Sequence, residues 1–461
     1  PARWLPGVVA ANFADAAAQA VAGGHDLGAR RLIVSGYGRV AVVGAGWAGL
    51  ACAAQLAASQ TPVTVFEAAR QPGGRARTVT LNGLSLDNGQ HLLVGAYTEI
   101  LQLMRLVGAR PDRLVARSPL HLLYPGHFAL RLPSLPAPLH LAIGLMRARG
   151  ATIGEKLSAA RFMSRLQRRH FKLAQDTTVS RWLDDEGQRG AIRRHLWEPL
   201  CLAALNTLPT DASAQIFANV LRDSLGGDRR ATDLLLPACA LGELLPSHAV
   251  DFIQRQGGEV RLSTRIDALV REGNGWQLAG EHFDHVVIAV APQHLASLLS
   301  TREAHEALLT QMASYTYEPI GTAYIAYPEN VSLPAPMLGL AGPIGQWVFD
   351  RGAVDGHAGV LAFVLSGAGE WDKMEDDDLA ARLHDELCGT CGTLPAPLWH
   401  RVIRERRATF SCRPHLYRPP IQTAERGLWL AGDYTWAEYP ATLEGAVRSG
   451  ASVARAILRG R

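Results

Sequence analysis

A glycine-rich loop between a short apolar run and an alanine-rich stretch places the strongest constraint on how this chain folds. The run Val40–Val43 has the pattern of a buried strand, and Gly44, Gly46 and Gly49 follow it. Residues 62–67 form a second apolar run, which ends in a carboxylate. This order predicts a strand, a tight turn, a helix and a second strand.

Each glycine of the loop has its own physical task. Gly44 permits the tight turn, Gly46 lets backbone N–H groups approach a pyrophosphate, and Gly49 allows the helix to pack closely on the strand. The first N–H groups of the helix favour an anion. Glu67 is placed to accept hydrogen bonds from an adenosine ribose, and its charge would repel a 2′-phosphate. The loop therefore predicts FAD or NAD rather than NADP; the alternative is a glycine-rich turn with a chance acid.

Two further motifs suit the same kind of ligand. Gly74 and Arg75 combine a close backbone approach with a guanidinium that can pair with phosphate. Near the end of the chain, Gly432 and Asp433 close a short apolar strand, and a helix is expected over residues 442–458. The start of such a helix offers N–H donors to an anionic ring oxygen. Taken singly, each of these motifs would also fit an ordinary turn.

In combination, the three motifs resemble those of the FAD-dependent amine oxidase and phytoene desaturase superfamily. The resemblance implies an α/β fold, with a Rossmann-type FAD-binding domain of the glutathione-reductase-like type and an interleaved substrate-binding domain. It also implies that FAD is the cofactor and that the terminal helix start lies beneath the pyrimidine edge of the flavin. The residues that match the superfamily's FAD-binding positions are Gly44, Gly46, Gly49, Glu67, Gly74, Arg75, Ile266, Gly432, Asp433, Thr442 and Leu443.

We expect the two domains to alternate along the chain, because the α/β pattern returns in separated stretches. Residues 1–38 have no counterpart in the resemblance and are interpreted as an N-terminal extension. The FAD-binding domain is expected to comprise residues 39–95, 241–300 and 413–461. The substrate domain is expected to comprise residues 96–240, which would face a membrane, and residues 301–412.

Three stretches show a closer resemblance, at residues 86–91, 196–207 and 220–237. They are similar to the squalene-associated FAD-dependent desaturase family, which comprises the hydroxysqualene dehydroxylases of bacterial squalene and hopanoid biosynthesis. The resemblance implies reductive removal of a hydroxyl group from a C30 isoprenoid. The carbinol would lose water, and the resulting cation would accept a hydride from N5 of the reduced flavin. An external electron donor would be needed to reduce the flavin.

Three side chains are candidate proton donors for the departing hydroxyl: Glu198, Asp233 and His91. A carboxylate such as Glu198 in an apolar helix must be paired or protonated, and the alternative to an acid is an ion pair with Arg193 or Arg194. Asp233 could equally be a helix N-cap. The alternative for His91 is a structural hydrogen-bond network beneath the flavin.

Other functions remain open at this stage. A carotenoid-type desaturase shares the fold but oxidises its substrate, and a non-catalytic flavin-binding subunit of a lipid-synthesis complex would bind FAD without turnover. Amine oxidases of the superfamily commonly place a lysine near flavin N5. None of the three lysines, Lys156, Lys172 and Lys373, lies in a matching segment.

Composition excludes several classes of protein. The net charge of +4 on 461 residues is too small for a dedicated nucleic-acid binder. Six cysteines do not form a disulfide scaffold in a chain of this length. Cys388 and Cys391 have redox or metal spacing, but no second pair accompanies them, so we expect no metal site. A cytoplasmic location is therefore expected.

A proline-interrupted apolar segment at residues 132–146 is too short to span a membrane. We expect it to lie in the interface at the inner face of the membrane, as a peripheral contact. The alternative is a core-packing segment beside a solvated basic face. The arginines that would face anionic lipid are Arg147, Arg149, Arg161, Arg165, Arg168 and Arg169.

Overall fold

A computed structural model of the chain describes residues 38–299 and 303–460. The expected N-terminal extension, apart from its last residue, lies outside the described residues. The strands are β1 (Val40–Val43), β2 (Val63–Phe66), β3 (Thr78–Leu81), β4 (Leu84–Asp87), β5 (Leu93–Val94), β6 (Val115–Ser118), β7 (His121–Tyr124), β8 (Phe128–Arg131), β9 (Leu234–Pro237), β10 (Glu259–Arg261), β11 (Val270–Glu272), β12 (Gly275–Leu278), β13 (Glu281–Phe283), β14 (His285–Ile288), β15 (Tyr317–Ala326), β16 (Met337–Gly339), β17 (Trp347–Asp350), β18 (Val360–Ser366), β19 (Trp399–Phe410) and β20 (Leu428–Leu430).

The α-helices connect and cover these strands. They are α1 (Trp47–Ala58), α2 (Thr98–Val107), α3 (Pro111–Leu114), α4 (Leu139–Arg147), α5 (Ile153–Arg168), α6 (Val179–Asp185), α7 (Gly190–Ile192), α8 (Glu198–Leu205), α9 (Ala214–Ser224), α10 (Leu241–Leu244), α11 (Pro246–Arg255), α12 (Leu295–Leu299), α13 (Glu306–Ala313), α14 (Arg351–Asp355), α15 (Asp376–Cys391) and α16 (Leu443–Arg459). A π-helical turn, Arg193–Trp197, lies directly before α8.

A parallel sheet positions the glycine loop. Its strand order is β10-β2-β1-β14-β20, so β1 lies at the centre with β2 and β14 on either side. All four residues of β1 are buried, which explains its continuous apolar sequence. The strands come from three widely separated parts of the chain. This sheet is the α/β architecture that the sequence predicts, whereas the exact domain boundaries remain a prediction.

An antiparallel sheet forms the second large layer. Its order is β16-β17-β18-β15-β19, and the long strand β15 pairs with both β18 and β19. Helix α15 packs on this sheet through buried Leu379, Leu383 and Leu387. The strands that the sequence predicts at residues 320–326 and 360–365 lie within β15 and β18.

Two local expectations need correction. The sequence pattern of residues 260–266 predicts a strand, but β10 ends at Arg261 because only Glu259, Val260 and Arg261 pair with β2. The apolar pattern of residues 196–205 predicts a single helix, but its start is the π-helical turn. Pro199 has no N–H with which to continue the regular helical ladder across this junction.

Helices α1 and α16 lie against each other through small residues. A Cβ atom built on Gly450 of α16 would lie 2.0 Å from the carbonyl oxygen of Ala48 in α1. Backbone therefore meets backbone at this point, and no side chain can be accommodated without moving a helix. This contact fixes the terminal helix on the glycine-loop helix.

We expect Gly450→Ala to reduce the free energy of unfolding by about 1–3 kcal/mol, the usual effect of overpacking. The measurement is chemical denaturation of the purified protein. Gly389→Ala in α15 is the matched control, since a Cβ there would meet nothing within 4 Å. It should leave stability unchanged or raise it by about 0.5–1 kcal/mol. Equal effects of the two substitutions would contradict the close helix contact.

Candidate functional site

The glycine loop has the backbone geometry that its sequence predicts. Gly44 has a φ of 110°, and a Cβ there would lie 2.7 Å from the carbonyl oxygen of Ala289. A Cβ on Gly49 would lie 1.9 Å from the carbonyl oxygen of Gly44. Gly46, in contrast, faces open space, since a Cβ built on it would meet nothing within 4 Å. Two glycines are thus required by packing, and the third leaves room for a ligand.

Glu67 is held at the edge of this loop. Its carboxylate accepts hydrogen bonds from the backbone N–H groups of Ala45 at 2.7 Å and Ala69 at 2.8 Å. Each carboxylate oxygen retains acceptor capacity for a further donor. The position therefore suits the two hydroxyls of a ribose, as the sequence predicts.

Gly74 lies beside the glycine loop. A Cβ on Gly74 would lie 3.2 Å from the Cα of Gly46, and the neighbouring Gly73 donates its N–H to the carbonyl of Ala45 at 2.9 Å. The glycine doublet therefore lies directly against the first turn of the loop. Its lack of side chains keeps the backbone of both segments accessible.

Arg75 joins the first motif to the last. Its guanidinium donates to the buried carboxylate of Asp433 at 2.8 Å and to the carbonyl of Ala408 at 2.8 Å. Burial opposes the positive charge, but the neighbouring Asp433 outweighs it, so the pKa of Arg75 is raised. Gly432, directly before Asp433, donates its N–H to the hydroxyl of Ser449 in α16 at 2.9 Å.

The start of α16 completes this group. Thr442 is the N-cap and accepts a hydrogen bond from the N–H of Gly445 at 3.1 Å, and Leu443 is the first helical residue. Glu444 is fully buried and accepts hydrogen bonds from the N–H groups of Glu99 and Ile100, both at 3.0 Å. The terminal helix is therefore tied to the start of α2 as well as to α1.

Ile266 lies beyond the end of β10 rather than within it. The segment that leads to it is held to the Glu67 turn, since Ser263 donates to the carbonyl of Ala69 at 2.9 Å and Thr264 donates to that of Glu67 at 2.8 Å. Ile266 therefore lies two residues beyond a segment that is bound to the Glu67 turn. Its contact with adenine stays a prediction.

Several groups at this site lack partners that a bound anionic cofactor would provide. No side chain caps the N-terminus of α1 among the described residues. The buried hydroxyl of Tyr434, close to Arg75 and Asp433, has no hydrogen-bond partner within the described chain. Buried polar atoms are normally satisfied. These groups, the open face at Gly46 and the free acceptors of Glu67 fit FAD, which carries phosphates, hydroxyls and a ribose.

Comparison with known proteins decides the family. Residues 47–458 match the family described as flavin containing amine oxidoreductase. The chain belongs to this family. It is an FAD-dependent oxidoreductase, which confirms the expected cofactor, enzyme class and α/β fold.

Within the family, individual relatives share substantial sequence with this chain. The chain is 31% identical over 438 residues to the hydroxysqualene dehydroxylase of Rhodopseudomonas palustris, with 91% of this chain and 98% of the relative covered. It is 26% identical to the chloroplastic/chromoplastic 15-cis-phytoene desaturase of Narcissus pseudonarcissus, with 91% and 79% covered. These matches confirm the resemblance found in the sequence.

A solved structure supports the fold alone. The cyclohexylamine oxidase of Brevibacterium oxydans superposes with a TM-score of 0.67 at 18% identity, covering 91% of this chain and 98% of that one.

The three candidate acids occupy two different regions. His91 precedes β5 and Asp233 precedes β9, and these two strands pair with each other, so the structure brings their neighbourhoods together. Gly95 donates its N–H to the carbonyl of Asp233 at 2.8 Å. Glu198 begins α8, outside this small sheet.

The local contacts distinguish the three groups. Burial lowers the pKa of His91, and its Nδ1 lies 2.6 Å from the carbonyl oxygen of Gly89, so Nδ1 carries the proton. The Asp233 carboxylate lies 3.1 Å from Arg117 and 3.7 Å from Arg229; it follows a 3₁₀ turn and is not an N-cap. Glu198 is paired with Arg193 at 2.7 Å, which is the ion pair considered as its alternative. Their catalytic roles remain predictions.

The structure shows a buried polar network beside His91, whose distant members sequence reasoning did not identify. Arg351 of α14 donates to the side-chain oxygen of Gln90 at 2.5 Å and forms a buried ion pair with Asp355. Tyr324 donates to the backbone carbonyl of Asp87 at 2.9 Å. The network ties the antiparallel sheet to the loop at residues 87–91. Its members are far apart in sequence, so no local pattern signals it.

Asp87 is the titrating member of this network. Burial raises the pKa of its carboxyl to about 6, although the N–H of Leu241, 2.8 Å away, and nearby Arg351 oppose the rise. The side chain is only 2% exposed. The folded protein therefore disfavours the charged form relative to the unfolded chain.

We expect Glu67→Gln to weaken FAD binding by about tenfold or more, since a lost hydrogen bond to a charged group costs about 1.5–3 kcal/mol. The dissociation constant can be measured by titrating FAD into the deflavinated protein. The control is Glu259→Gln on the adjacent strand, whose exposed carboxylate pairs with Arg261. Unchanged affinity in Glu67→Gln would contradict the assigned ribose site.

We expect the native protein to lose stability relative to Asp87→Asn as the pH rises from 3.8 to about 6, the ordinary and raised pKa values of this carboxyl. The native state holds the proton more tightly than the unfolded state, so raising the pH through this window favours unfolding, by about 3 kcal/mol. Urea denaturation at several pH values measures the difference. Exposed Asp112, replaced by Asn, is the control. Parallel pH profiles for native and Asp87→Asn proteins would refute the effect.

Proposed function

We propose that this enzyme reduces hydroxysqualene to squalene, in bacterial squalene and hopanoid biosynthesis. The observation that carries the proposal is the likeness, over nearly the full length of both chains, to relatives named hydroxysqualene dehydroxylase. The second sequence resemblance, at residues 86–91, 196–207 and 220–237, supports the same reaction. An isoprenoid lipid is then the substrate.

Bound FAD, once reduced, supplies the hydride that replaces the hydroxyl group. The chain's own residues hold the cofactor through the glycine loop, Glu67 and the motif of Arg75 and Asp433. A proton must also reach the departing oxygen as the carbon–oxygen bond breaks, so that water leaves. His91, Asp233 and Glu198 are the proposed donors.

The surroundings of β7 and β8 favour an apolar substrate. Tyr124 contacts the rings of His195 and Trp347, with centroids 4.8 and 5.4 Å apart, and His195 stacks on Phe128 at 5.7 Å. These rings join the largest cluster of buried apolar residues in the described chain.

Three further points belong to this proposal. An external electron donor reduces the flavin, the protein works in the cytoplasm, and it contacts the inner face of the membrane peripherally, where a C30 lipid would be dissolved. Among the described residues no helix is long and apolar enough to cross a bilayer. Nucleic acid has no part in the proposed reaction.

An isoprenoid desaturase is the second candidate, because phytoene desaturases are also relatives of this chain at 24–26% identity. Such an enzyme would remove hydrogen from its substrate, leaving the flavin reduced.

Amine oxidation is less well supported, since all three lysines lie at or near the surface, with Lys156 Nζ bound to the carbonyl of Met146 at 3.1 Å. Nothing supports a non-catalytic subunit.

We expect the reduced protein, mixed anaerobically with hydroxysqualene, to form squalene and reoxidised flavin in one turnover. Lipid extraction and flavin absorbance measure the two products. Replacing the true proton donor, by Glu198→Gln, Asp233→Asn or His91→Ala, should slow this turnover by about 10²–10⁴-fold. FAD content and the unfolding midpoint serve as controls for each variant. No squalene from fully reduced, folded protein would refute the reaction, and wild-type rates in all three variants would refute the proposed donors.

A further inference from the structure

Helices α4 and α5 carry a concentration of exposed apolar side chains. Nine large apolar side chains are exposed among the described residues, and four of them lie on these two helices. They are Leu139 at 52% exposure, Met146 at 49%, Ile153 at 69% and Leu157 at 41%. The other five are scattered over the rest of the described chain. We call the surface formed by these four residues the α4–α5 face.

On α4, the apolar residues divide into two faces. Leu139, Ala142 and Met146 follow one another at helical spacing on the exposed side. His140, Leu141, Gly144 and Leu145 are buried on the opposite side. A helix that is apolar on both faces has more hydrophobic surface than the fold of one chain covers. Contact with an apolar partner outside the described residues would therefore stabilise the outer face of α4.

On α5, Ile153 and Leu157 extend the same face. They are one helical turn apart on the exposed side, whereas Ala159, Phe162 and Met163 are buried beneath. Lys156 donates its Nζ to the carbonyl of Met146 at 3.1 Å, so the first turn of α5 lies beside the last turn of α4. The exposed apolar side chains of the two helices are therefore on neighbouring parts of the surface.

Unpaired cations border this surface. Arg147, Arg149 and Arg161 are exposed, and no ion pair engages them within the described chain. Residues 132–169 contain a single carboxylate, Glu155, which is occupied in binding the N–H groups of Thr152 and Ala191. The face is therefore apolar at its centre and positively charged at its border.

The structure also changes which arginines are free of ion pairs and able to bind an anionic lipid. Arg165 and Arg169 were expected to face lipid, but both pair with Glu186, at 2.6 and 3.6 Å. Both arginines are therefore engaged by one carboxylate, which balances only one of their two positive charges. Arg147, Arg149 and Arg161 are the unpaired cations nearest the exposed apolar side chains. Arg168, at the far end of α5, is also exposed and forms no ion pair within the described chain.

We propose that the α4–α5 face docks on an anionic lipid bilayer. Leu139, Met146, Ile153 and Leu157 enter the boundary between headgroups and acyl chains, and the bordering arginines bind lipid phosphates. The purpose of this docking rests on the proposed function, because a C30 substrate would be taken from the bilayer. The docking itself can be measured without substrate.

Charge favours lipid over a second copy of the chain. A symmetric dimer through this face would bring Arg147, Arg149 and Arg161 of one copy close to the same residues of the other. Like charges at such a contact oppose association. An anionic bilayer offers the opposite charge together with an apolar interior.

The experiment is flotation of the FAD-loaded protein with vesicles of phosphatidylcholine, alone or mixed with phosphatidylglycerol. We expect binding to the mixed vesicles, which high salt weakens. The double variant Ile153→Asp with Leu157→Gln should bind them about tenfold more weakly or worse, because two apolar side chains no longer enter the bilayer. Ile153 is the first residue of α5, where an aspartate favours the helix. The variant should therefore remain folded.

Arg147→Gln and Arg161→Gln should each weaken binding to the mixed vesicles by about fivefold. Neither should change the weak binding to neutral vesicles. Leu398→Asp is the matched apolar control, since Leu398 is 66% exposed and directly precedes β19 rather than belonging to either helix. Arg382→Gln in α15 is the matched control for charge. Both controls should bind as the native protein does.

Three outcomes would overturn the docking surface. The first is failure of the native protein to float with mixed vesicles. The second is flotation of the Ile153 and Leu157 variant equal to that of the native protein. The third is a loss of vesicle binding in Leu398→Asp equal to the loss in that variant. Concentration-dependent dimers that the α5 variant abolishes, without vesicle binding, would assign the face to a second copy. Turnover of hydroxysqualene in detergent micelles tests the reaction independently, so failure of one proposal is distinguishable from failure of the other.

Discussion

The ion pair between Arg75 and Asp433 is the interaction on which the rest of the site depends. The two residues are 358 positions apart, and the 2.8 Å contact joins the glycine doublet to the terminal strand. The Asp433 side chain is only 6% exposed, so removing Arg75 would leave a buried, unpaired carboxylate. Arg75 also donates to the carbonyl of Ala408 in β19, which brings the antiparallel sheet to the same point. One guanidinium thus connects the two five-stranded sheets. It also connects the glycine doublet to the terminal motif of the candidate cofactor site.

Local chemistry explains what the sequence could predict. Gly44, Gly46 and Gly49 act through backbone geometry within a few residues, so their spacing alone predicts the turn, the packing and the open face. Glu67 follows from the same unit because its strand pairs directly with β1. The terminal helix start at Thr442 is readable for a similar reason, since an N-cap binds the N–H of a residue three positions away.

Interactions between distant segments explain what the sequence could not predict. Arg351 is buried only because Gln90 and Asp355 receive its hydrogen bonds, and Gln90 is far from it in the chain. The length of β10 was overestimated because Leu262 and Ile266 continue the alternating pattern of a strand, whereas pairing with β2 stops at Arg261. The ion pair of Glu198 was foreseen as an alternative, but choosing between pairing and protonation needed the position of Arg193.

The strand order of the parallel sheet has a consequence for biosynthesis. β20 and α16 lie in the last part of the chain, yet β20 pairs with β14, and α16 packs on the first helix. Contacts between residues so far apart in sequence form late in folding. A nascent chain on the ribosome therefore holds an unfinished sheet, with one edge unpaired and the glycine loop without its terminal partner. Emergence of the glycine loop is therefore not sufficient for a complete candidate cofactor site, because β20 and α16 must be synthesised first.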